Sequence, residues 1–155
     1  MRRKHRKEKQ YEEDLVYKNA LATRFINYLM KDGKKSTAQR TFYKTMEIIK
    51  EQTKQNPIEV FNSAVKNVSP ELEVKTRRIG GANYQVPQVV AEHRKITLAC
   101  RWLINASREK KGKPMAEKLA EELILASKNE GAAIKKKLDI HRIAESNRAF
   151  ARFSF

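Results

Sequence analysis

The chain has 155 residues, of which 34 are Lys or Arg and 18 are Asp or Glu, so its formal net charge is +16 at pH 7. This length and a hydrophobic fraction of 40% suit one folded domain and exclude a wholly disordered chain. Every apolar run is shorter than the roughly 20 residues of a membrane-spanning helix, and the single cysteine excludes an internal disulfide, so we expect an intracellular protein.

Residues 1–14 are predicted to form a basic tail, because their cations occur without apolar periodicity. Such segments stay extended until an anion neutralises them. The tail cations are Arg2, Arg3, Lys4, Arg6, Lys7 and Lys9. The tail has no apolar segment of the kind that a secretory signal requires. We expect residues 15–155 to fold as a single helical domain.

Three helices are predicted in the first half of this domain. Their apolar stripes are Leu21, Phe25 and Leu29, then Phe42, Met46 and Ile49, then Val60, Phe61, Ala64, Val65 and Val68. Asp32–Gly33 is expected to end the first helix. Ser36 has capping-box spacing, which predicts the start of the second helix. Asn56 followed by Pro57 is typical of an N-cap and a first helical residue, so this pair predicts the third helix.

A β-hairpin is predicted at about residues 72–89, where the apolar pattern changes to strict alternation. The expected inner face of its first strand is Leu72, Val74 and Thr76. Gly80–Gly81 provides a turn in which positive φ is readily adopted, and Tyr84 and Val86 continue as the return strand. Pro87 confines that strand to an edge or an end, since it lacks a backbone N–H. A hairpin of two strands alone is only marginally stable in water, so we expect it to pack against helices or against a partner.

Three further helices are predicted after the hairpin, the first of them from about Glu92. Their inner residues are Ile96, Ala99, Cys100 and Leu103 with Trp102 beside them, then Ala116, Leu119, Ala120, Leu123 and Ile124. The fifth helix begins at Pro114 and is expected to end at Gly131. Asp139 is expected to cap a last helix that runs through Phe150. The predicted fold class is therefore mainly α, a bundle of about six helices with one protruding two-stranded β-hairpin.

The basic residues cluster at the ends of these elements. The clusters are Lys34 and Lys35 in the first turn, Lys75, Arg77 and Arg78 on the hairpin, Arg94 and Lys95 after it, and Arg108, Lys110, Lys111 and Lys113 at the end of the fourth helix. A solvated polar face is the simpler interpretation, but such a face would interleave acids, and residues 75–90 contain none. A basic ribbon can place guanidinium groups against phosphates or bases, so the clustering favours nucleic-acid binding.

Tyr84 has two interpretations that the sequence leaves open. It could stack on an unpaired base, or it could pack on the helices because it alternates with Val86. Trp102 is expected in the core, since it lies beside the apolar stripe of its helix. Cys100 is interpreted as a small buried hydrophobic residue.

We expect no enzyme, no metal site and no cofactor. His5, His93 and His141 are widely spaced and match no zinc or metalloprotease pattern. The glycines are too few and scattered for a phosphate-binding loop. A group of acids in the fifth helix is interpreted as intrahelical ion pairing with neighbouring lysines, and its members are Glu117, Glu121 and Glu122.

Five motifs in order resemble the small-subunit ribosomal protein S-seven family. They are Asp-Gly-Lys-Lys-Ser-Thr-Ala (32–38), Leu-Glu-Val-Lys-Thr-Arg-Arg-Ile-Gly-Gly-Ala-Asn-Tyr-Gln-Val-Pro (72–87), Ala-Cys-Arg-Trp-Leu (99–103), Ala-Ala-Ile-Lys-Lys-Lys (132–137) and His-Arg-Ile-Ala-Glu-Ser-Asn-Arg-Ala-Phe-Ala (141–151). The similarity runs from about residue 15 to the C-terminus.

The resemblance implies a structural component of the small ribosomal subunit, a primary binder of ribosomal RNA that nucleates assembly of the subunit head. It implies that rRNA faces the tail, the Lys34–Lys35 loop and the hairpin cations. We add Arg94, Lys95, Arg108, Lys110 and Lys111 to this group. Residues implied to lie near exit-site tRNA and mRNA are Gly80, Gly81, Asn83, Tyr84, Arg142, Arg148 and Arg152. The implied protein partners are ribosomal protein S-eleven and other head proteins, with no membrane and no homo-oligomer in the assembled subunit.

The chain departs from the family pattern in two places. Many relatives have Asp-Pro where Asp14–Leu15 stands, and many end in an aromatic-Arg-aromatic group after Ala-His, where this chain ends Ala-Arg-Phe-Ser-Phe. The second departure puts the exact tRNA contacts of the terminus in question. The expected location is a small subunit in the bacterial cytoplasm, or in an organelle.

Two other functions remain as alternatives from the sequence. The first is a DNA-binding nucleoid or regulatory protein, because phosphate attraction does not itself distinguish RNA from DNA. The second is attachment of residues 1–9 to a membrane surface.

Overall fold

The computed structural model describes residues 11–153, so the predictions for Arg2, Arg3 and Lys4 lie outside the described residues. In chain order the elements are α1 Ala20–Leu29, α2 Lys35–Thr53, α3 Pro57–Val68, β1 Leu72–Ile79, β2 Ala82–Val89, α4 Glu92–Glu109, α5 Met115–Ser127, α6 Ala132–Ser146 and a 3₁₀ helix, η1, Arg148–Phe153. The predicted class is confirmed, because six α-helices and one antiparallel hairpin occupy the described range. None of the helices within residues 11–153 is long and apolar enough to cross a membrane.

Of the two helix starts predicted in the first half of the domain, one follows its local signal. The Asn56 side chain accepts a hydrogen bond from the N–H of Ile58, and Pro57 is the first helical residue of α3, as predicted. The capping-box prediction for Ser36 is wrong. The chain turns through positive φ at Asp32 and Gly33, and α2 already begins at Lys35. Ser36 therefore lies inside the first turn, and no side chain caps the helix.

The core is built around three phenylalanines contributed by α1, α2 and α3. Phe25, Phe42 and Phe61 are fully buried, and their ring centroids lie 5.3 to 5.8 Å apart. Aromatic pairs in such tilted and edge-on arrangements contribute about 0.5–1.5 kcal/mol each beyond their burial. Cys100 is completely buried among these helices, and burial raises the pKa of its thiol to about 12. The interpretation of Cys100 as a small hydrophobic residue is confirmed, and Trp102 packs half-buried against the same core.

The hairpin has the predicted turn but not the predicted inner face. Gly80 and Gly81 adopt φ values of 57° and 92° and join strands paired in register from Leu72 with Val89 to Ile79 with Ala82. Thr76 is exposed, whereas Glu73, on the opposite face of β1, is buried. The expected alternation is wrong at Glu73. A buried carboxylate is tolerated when it has a charged partner, and Arg94 on α4 is the partner of Glu73.

The end of α5 and the start of α6 also differ from the prediction. Helix α5 ends at Ser127, and Gly131 is instead the N-cap residue of α6, with φ 98°. Asp139, predicted as a cap, lies within α6. That helix ends at Ser146, so it does not reach Phe150, which lies in η1.

A buried acid from α5 accounts for where α6 starts. The Oε1 atom of Glu122 accepts a hydrogen bond from the N–H of Ala133 at 2.9 Å, and Glu122 is fully buried. Its Oε2 atom lies 2.9 Å from Nζ of Lys110, and the neighbouring Glu121 pairs with Lys113. Both lysines precede α5, so the prediction of intrahelical pairing is wrong for Glu121 and Glu122. Their ion pairs tie the α4–α5 loop to the bundle.

Candidate nucleic-acid interface

The α1–α2 loop presents two exposed lysines beside a helix N-terminus. Lys34 is the N-cap residue of α2, and Lys35 is its first helical residue. No side chain caps this helix, and the positive end of its dipole faces the loop, an arrangement that suits a phosphate. Arg108 from the end of α4 lines the same open cavity of about 430 Å³ as Lys34. The structure therefore brings together two cations predicted from separate clusters.

Helix α4 carries an arginine at every seventh position, at Arg94, Arg101 and Arg108. At 3.6 residues per turn these positions share one face, and at 1.5 Å per residue they span about 21 Å. All three residues are exposed. Arg101 was missed by the sequence analysis, which treated its motif as a core signal. The spacing of seven from both predicted neighbours was the signal that could have identified it.

Each of the three arginines is held by a contact within the protein. Arg94 Nε donates to Glu73 Oε2 at 2.7 Å, and Arg108 donates to the carbonyl of Leu29 at 3.1 Å. The guanidinium carbon of Arg101 lies 5.6 Å from the ring centroid of Tyr28, within the range of a cation–π interaction. These contacts restrict the side-chain rotamers before any partner binds, which lowers the entropy lost on binding.

A fourth arginine, Arg24 of α1, supports this face. Arg24 donates to Thr97 Oγ1 at 2.6 Å and to the carbonyl of His93, and the Tyr28 hydroxyl lies 3.1 Å from the same threonine oxygen. Burial raises the pKa of Tyr28, but the hydrogen bonds of Thr97 and Arg24 and the charge of Arg24 outweigh it, so the pKa is lowered. The ring beneath Arg101 is therefore fixed by hydrogen bonds between α1 and α4.

The hairpin cations are not equivalent. Lys75 and Arg94 share the carboxylate of Glu73, at 3.1 and 2.7 Å. Burial raises the pKa of Glu73, but the hydrogen bonds and charges of Arg94 and Lys75 lower it below its usual value, so the group is an anion at neutral pH. Arg77, opposite Tyr84, is half-buried, and Arg78, opposite Asn83, is exposed. The exposed tip that carries Arg78 also includes Gly80, Gly81 and Asn83.

Two other predicted contacts have acidic partners inside the protein. Lys95 lies 2.6 Å from Glu92 one turn earlier, and Lys110 forms the ion pair with buried Glu122. Lys110 therefore has a structural role that the sequence analysis did not assign. Lys111, next in the chain, is exposed.

The C-terminal arginines lie in and after α6, near the hairpin. Arg142 pairs with Asp139 at 2.8 Å, and Arg148 and Arg152 are exposed in η1. Tyr84 contacts the rings of Phe150 and Phe153 in η1, at centroid distances of 5.0 and 6.3 Å. Of the two interpretations of Tyr84, the structure shows packing against the protein, on a segment that the sequence analysis had assigned to the last helix.

Comparison with known proteins identifies the family. The family model described as ribosomal protein S7p/S5e matches residues 1–148. The proteins named small ribosomal subunit protein uS7 from Thermotoga petrophila and Thermosipho africanus are 54% and 53% identical over 153 residues, which cover 99% of each chain. The uS7 protein of Natranaerobius thermophilus is 54% identical over 140 residues, 90% of each chain. The chain therefore belongs to the ribosomal protein S7p/S5e family.

Proposed function

We propose that this chain is a structural constituent of the small ribosomal subunit that binds ribosomal RNA and performs no catalysis. Its relatives carry the name of a small-subunit protein, and the family is structural and non-enzymatic. The observation that carries the proposal is a row of cations that crosses three elements, here named the cationic track. Its members are Lys34, Lys35, Arg108, Arg101, Arg94, Lys75, Arg77 and Arg78.

The cationic track suits a folded RNA better than a small anion. Its α4 section alone extends about 21 Å, and the α1–α2 loop and the hairpin prolong it at either end. Lysines and arginines that neutralise phosphates release condensed counterions, so affinity grows with the number of phosphates engaged. Planar guanidinium groups held at defined positions also select one arrangement of phosphates and bases over others.

The finer role rests on the family resemblance. The chain is proposed to be a primary rRNA-binding protein that nucleates assembly of the subunit head, in a bacterial cytoplasm or an organelle. Its hairpin tip, Arg142 on α6 and the η1 residues Arg148 and Arg152 would approach exit-site tRNA and mRNA. Contact between Tyr84 and η1 supports this grouping, because it places the hairpin and the C-terminal segment side by side. Ribosomal protein S-eleven is the proposed neighbour.

The DNA-binding alternative has no support from the relatives, which are named as ribosomal proteins. Competition between duplex DNA and a head-domain rRNA fragment for the protein tests it directly. We expect the rRNA fragment to displace the duplex at physiological salt, since DNA offers phosphates without the folded arrangement.

Filter binding to the rRNA fragment across a salt series tests the proposed function. If about eight phosphates are engaged, log K falls with log salt at a slope of roughly −6 to −7. Replacing Arg101 and Arg78 with alanine should weaken binding and reduce the steepness of that slope by about 1.5 to 2, with little change in thermal stability. The matched control replaces Lys50 and Lys128, exposed lysines outside the track, with alanine.

The control removes the same net charge, so it distinguishes the contribution of the cationic track from that of the overall positive charge of the protein. Equal loss of affinity in the two double variants would show that only net charge matters and would overturn the assignment of the track. A slope near zero, or equal affinity for unrelated RNA hairpins in high salt, would overturn RNA recognition itself.

A further inference from the structure

An aromatic cluster joins the outer half of the hairpin to the C-terminal segment. The ring of Tyr84 on β2 lies 5.0 Å from that of Phe150 and 6.3 Å from that of Phe153, and the two phenylalanine rings lie 6.5 Å apart. Arg152 lies over Phe153 at 5.1 Å. All three rings are half-buried. The cluster is therefore separate from the main core and is formed only where the hairpin and η1 meet.

The local structure of η1 explains how two phenylalanines reach one tyrosine. Helix α6 ends at Ser146, and Asn147 is its C-cap residue. The Asn147 side chain donates to the carbonyl of Ile143 at 2.8 Å, and its own carbonyl accepts from the N–H of Phe150 at 2.9 Å. The chain then continues as a 3₁₀ helix, in which side chains three residues apart eclipse one another. Phe150 and Phe153 have that spacing, so both rings point to the same side and contact Tyr84.

The base of the hairpin is anchored, and its outer half is not buried. Val86 and Val90 are 0% and 2% exposed, Pro87 is buried, and Glu73 pairs with Arg94 on α4. From residue 75 to residue 85 every side chain on both strands is exposed or half-buried. The outer half is covered only in part, because Thr76 and Gln85 line an open groove with Trp102 and Ile143. A two-stranded hairpin is marginal in water by itself, so the orientation of this outer half depends on partial contacts such as that of Tyr84.

We propose that η1 is a clamp that fixes the orientation of the hairpin, with Phe150 and Phe153 as positioning residues for RNA recognition. Tyr84 is the direct cross-strand partner of Arg77, so holding the tyrosine ring also holds the strand position that presents this arginine. The proposal rests on the proposed function, because it concerns how the cationic track is presented to RNA. The phenylalanines themselves carry no charge and need not touch the RNA.

If η1 acts as a clamp, removing one of its rings should weaken RNA binding although no positive charge is removed. If the hairpin has the binding orientation in only a fraction of the molecules, the apparent Kd equals the intrinsic Kd divided by that fraction. If Phe150→Ala leaves about one-tenth to one-third of the molecules oriented, the Kd for the rRNA fragment rises about 3- to 10-fold. The salt dependence of binding should stay that of the wild-type protein, because the number of phosphates neutralised is unchanged.

The experiment compares Phe150→Ala, Tyr84→Ala and the double variant with Tyr84→Phe as the matched control, which keeps the ring. Filter binding gives the Kd and the salt slope, and thermal unfolding checks the bundle. Limited trypsin digestion, which needs no RNA, measures cleavage after Arg77 and Arg78. We expect both alanine variants to weaken binding, the double variant to bind no more weakly than either, and the hairpin to be cleaved faster in all three. Tyr84→Phe should behave as wild type.

Two results would overturn the clamp. If Phe150→Ala binds and is cleaved as wild type while Tyr84→Ala binds weakly, the tyrosine contacts RNA directly and η1 does not position it. If the two alanine variants weaken binding additively and leave cleavage unchanged, each ring acts separately on the RNA. Failure of the wild-type protein to bind the rRNA fragment would instead refute the proposed function, whereas faster hairpin cleavage in Phe150→Ala would still support the clamp.

Discussion

Replacing Gly131 with alanine perturbs the junction between α5 and α6 in two ways. Gly131 has φ 98°, a conformation that L-residues adopt only with strain. A Cβ atom at this position would lie 2.9 Å from Oε1 of Glu122 and 3.2 Å from Cβ of Leu125. The carboxyl oxygen that it meets is the one that accepts from the N–H of Ala133, so the substitution displaces the cap of α6.

The two effects have separable magnitudes. Gly131 combines φ 98° with ψ 173°, an extended positive-φ conformation that costs about 1–3 kcal/mol for alanine. Leaving the buried N–H of Ala133 without its acceptor costs about 1–3 kcal/mol, and the buried Glu122 also shifts away from Lys110. We expect Gly131→Ala to lower the free energy of unfolding by about 3 kcal/mol, which is a decrease in Tm of roughly 6–12 °C for a domain of this size.

The matched control is Gly112→Ala. Gly112 has φ 85°, close to that of Gly131, but a Cβ atom there meets no other atom within 4 Å. This control therefore carries the strain of a positive φ without the displaced carboxyl group. Urea unfolding and thermal melts followed by circular dichroism measure both variants. The expected difference between them is about 1–3 kcal/mol. Equal destabilisation of the two variants would refute the reasoning that Glu122 caps α6.

Two further predictions concern titratable groups. His141 Nε2 accepts from the N–H of Glu71 at 3.2 Å, and burial and the charge of Lys137 lower its pKa below 6.5. Its neutral form stabilises the fold fully above about pH 6.5, and that contribution is lost as the pH falls through the lowered pKa. Urea unfolding from pH 7.5 to 5 should show a smaller loss in H141Q, and parallel curves would contradict this. Asp14 accepts from the Tyr43 hydroxyl at 2.7 Å, while burial, this bond and the Asp14 charge raise the pKa of Tyr43 to about 12. Asp14→Ala should cost about 1–3 kcal/mol of stability and lower that pKa toward 10 in an ultraviolet titration, with D14N retaining more of the stability.

Features that depend on neighbouring residues in the chain were predictable. Asn56 and Pro57 start α3 because an amide cap and a proline act within one helical turn. Gly80–Gly81 closes the hairpin because glycine adopts positive φ without strain. Apolar periodicity predicted the stripes of the first four helices for the same reason, since one repeat is enough to define a buried face. The clusters of cations were also predictable, because the positions of Lys and Arg can be read directly from the sequence.

Features that depend on a partner distant in the chain were not predictable. Glu73 is buried because Arg94 reaches it, and α6 begins at Ala132 because Glu122 on another helix supplies its cap. Patterns among neighbouring residues in the sequence do not identify such distant partners. The same holds for Lys110, which faces the buried Glu122 although its sequence neighbours, Glu109 and Lys111, are both exposed.

The sequence by itself determined the helical class, the hairpin, the positive charge and the family, because each is expressed in composition or in short-range spacing. Only the tertiary structure decided which cations have acids beside them and which remain on the outer surface. It also decided that Arg101 lies over the ring of Tyr28 and that η1 meets Tyr84. The physical reason is that charge pairing and ring packing act through space over a few ångströms, whereas partners such as Glu73 and Arg94 are 21 positions apart along the chain and Tyr84 and Phe150 are 66 apart.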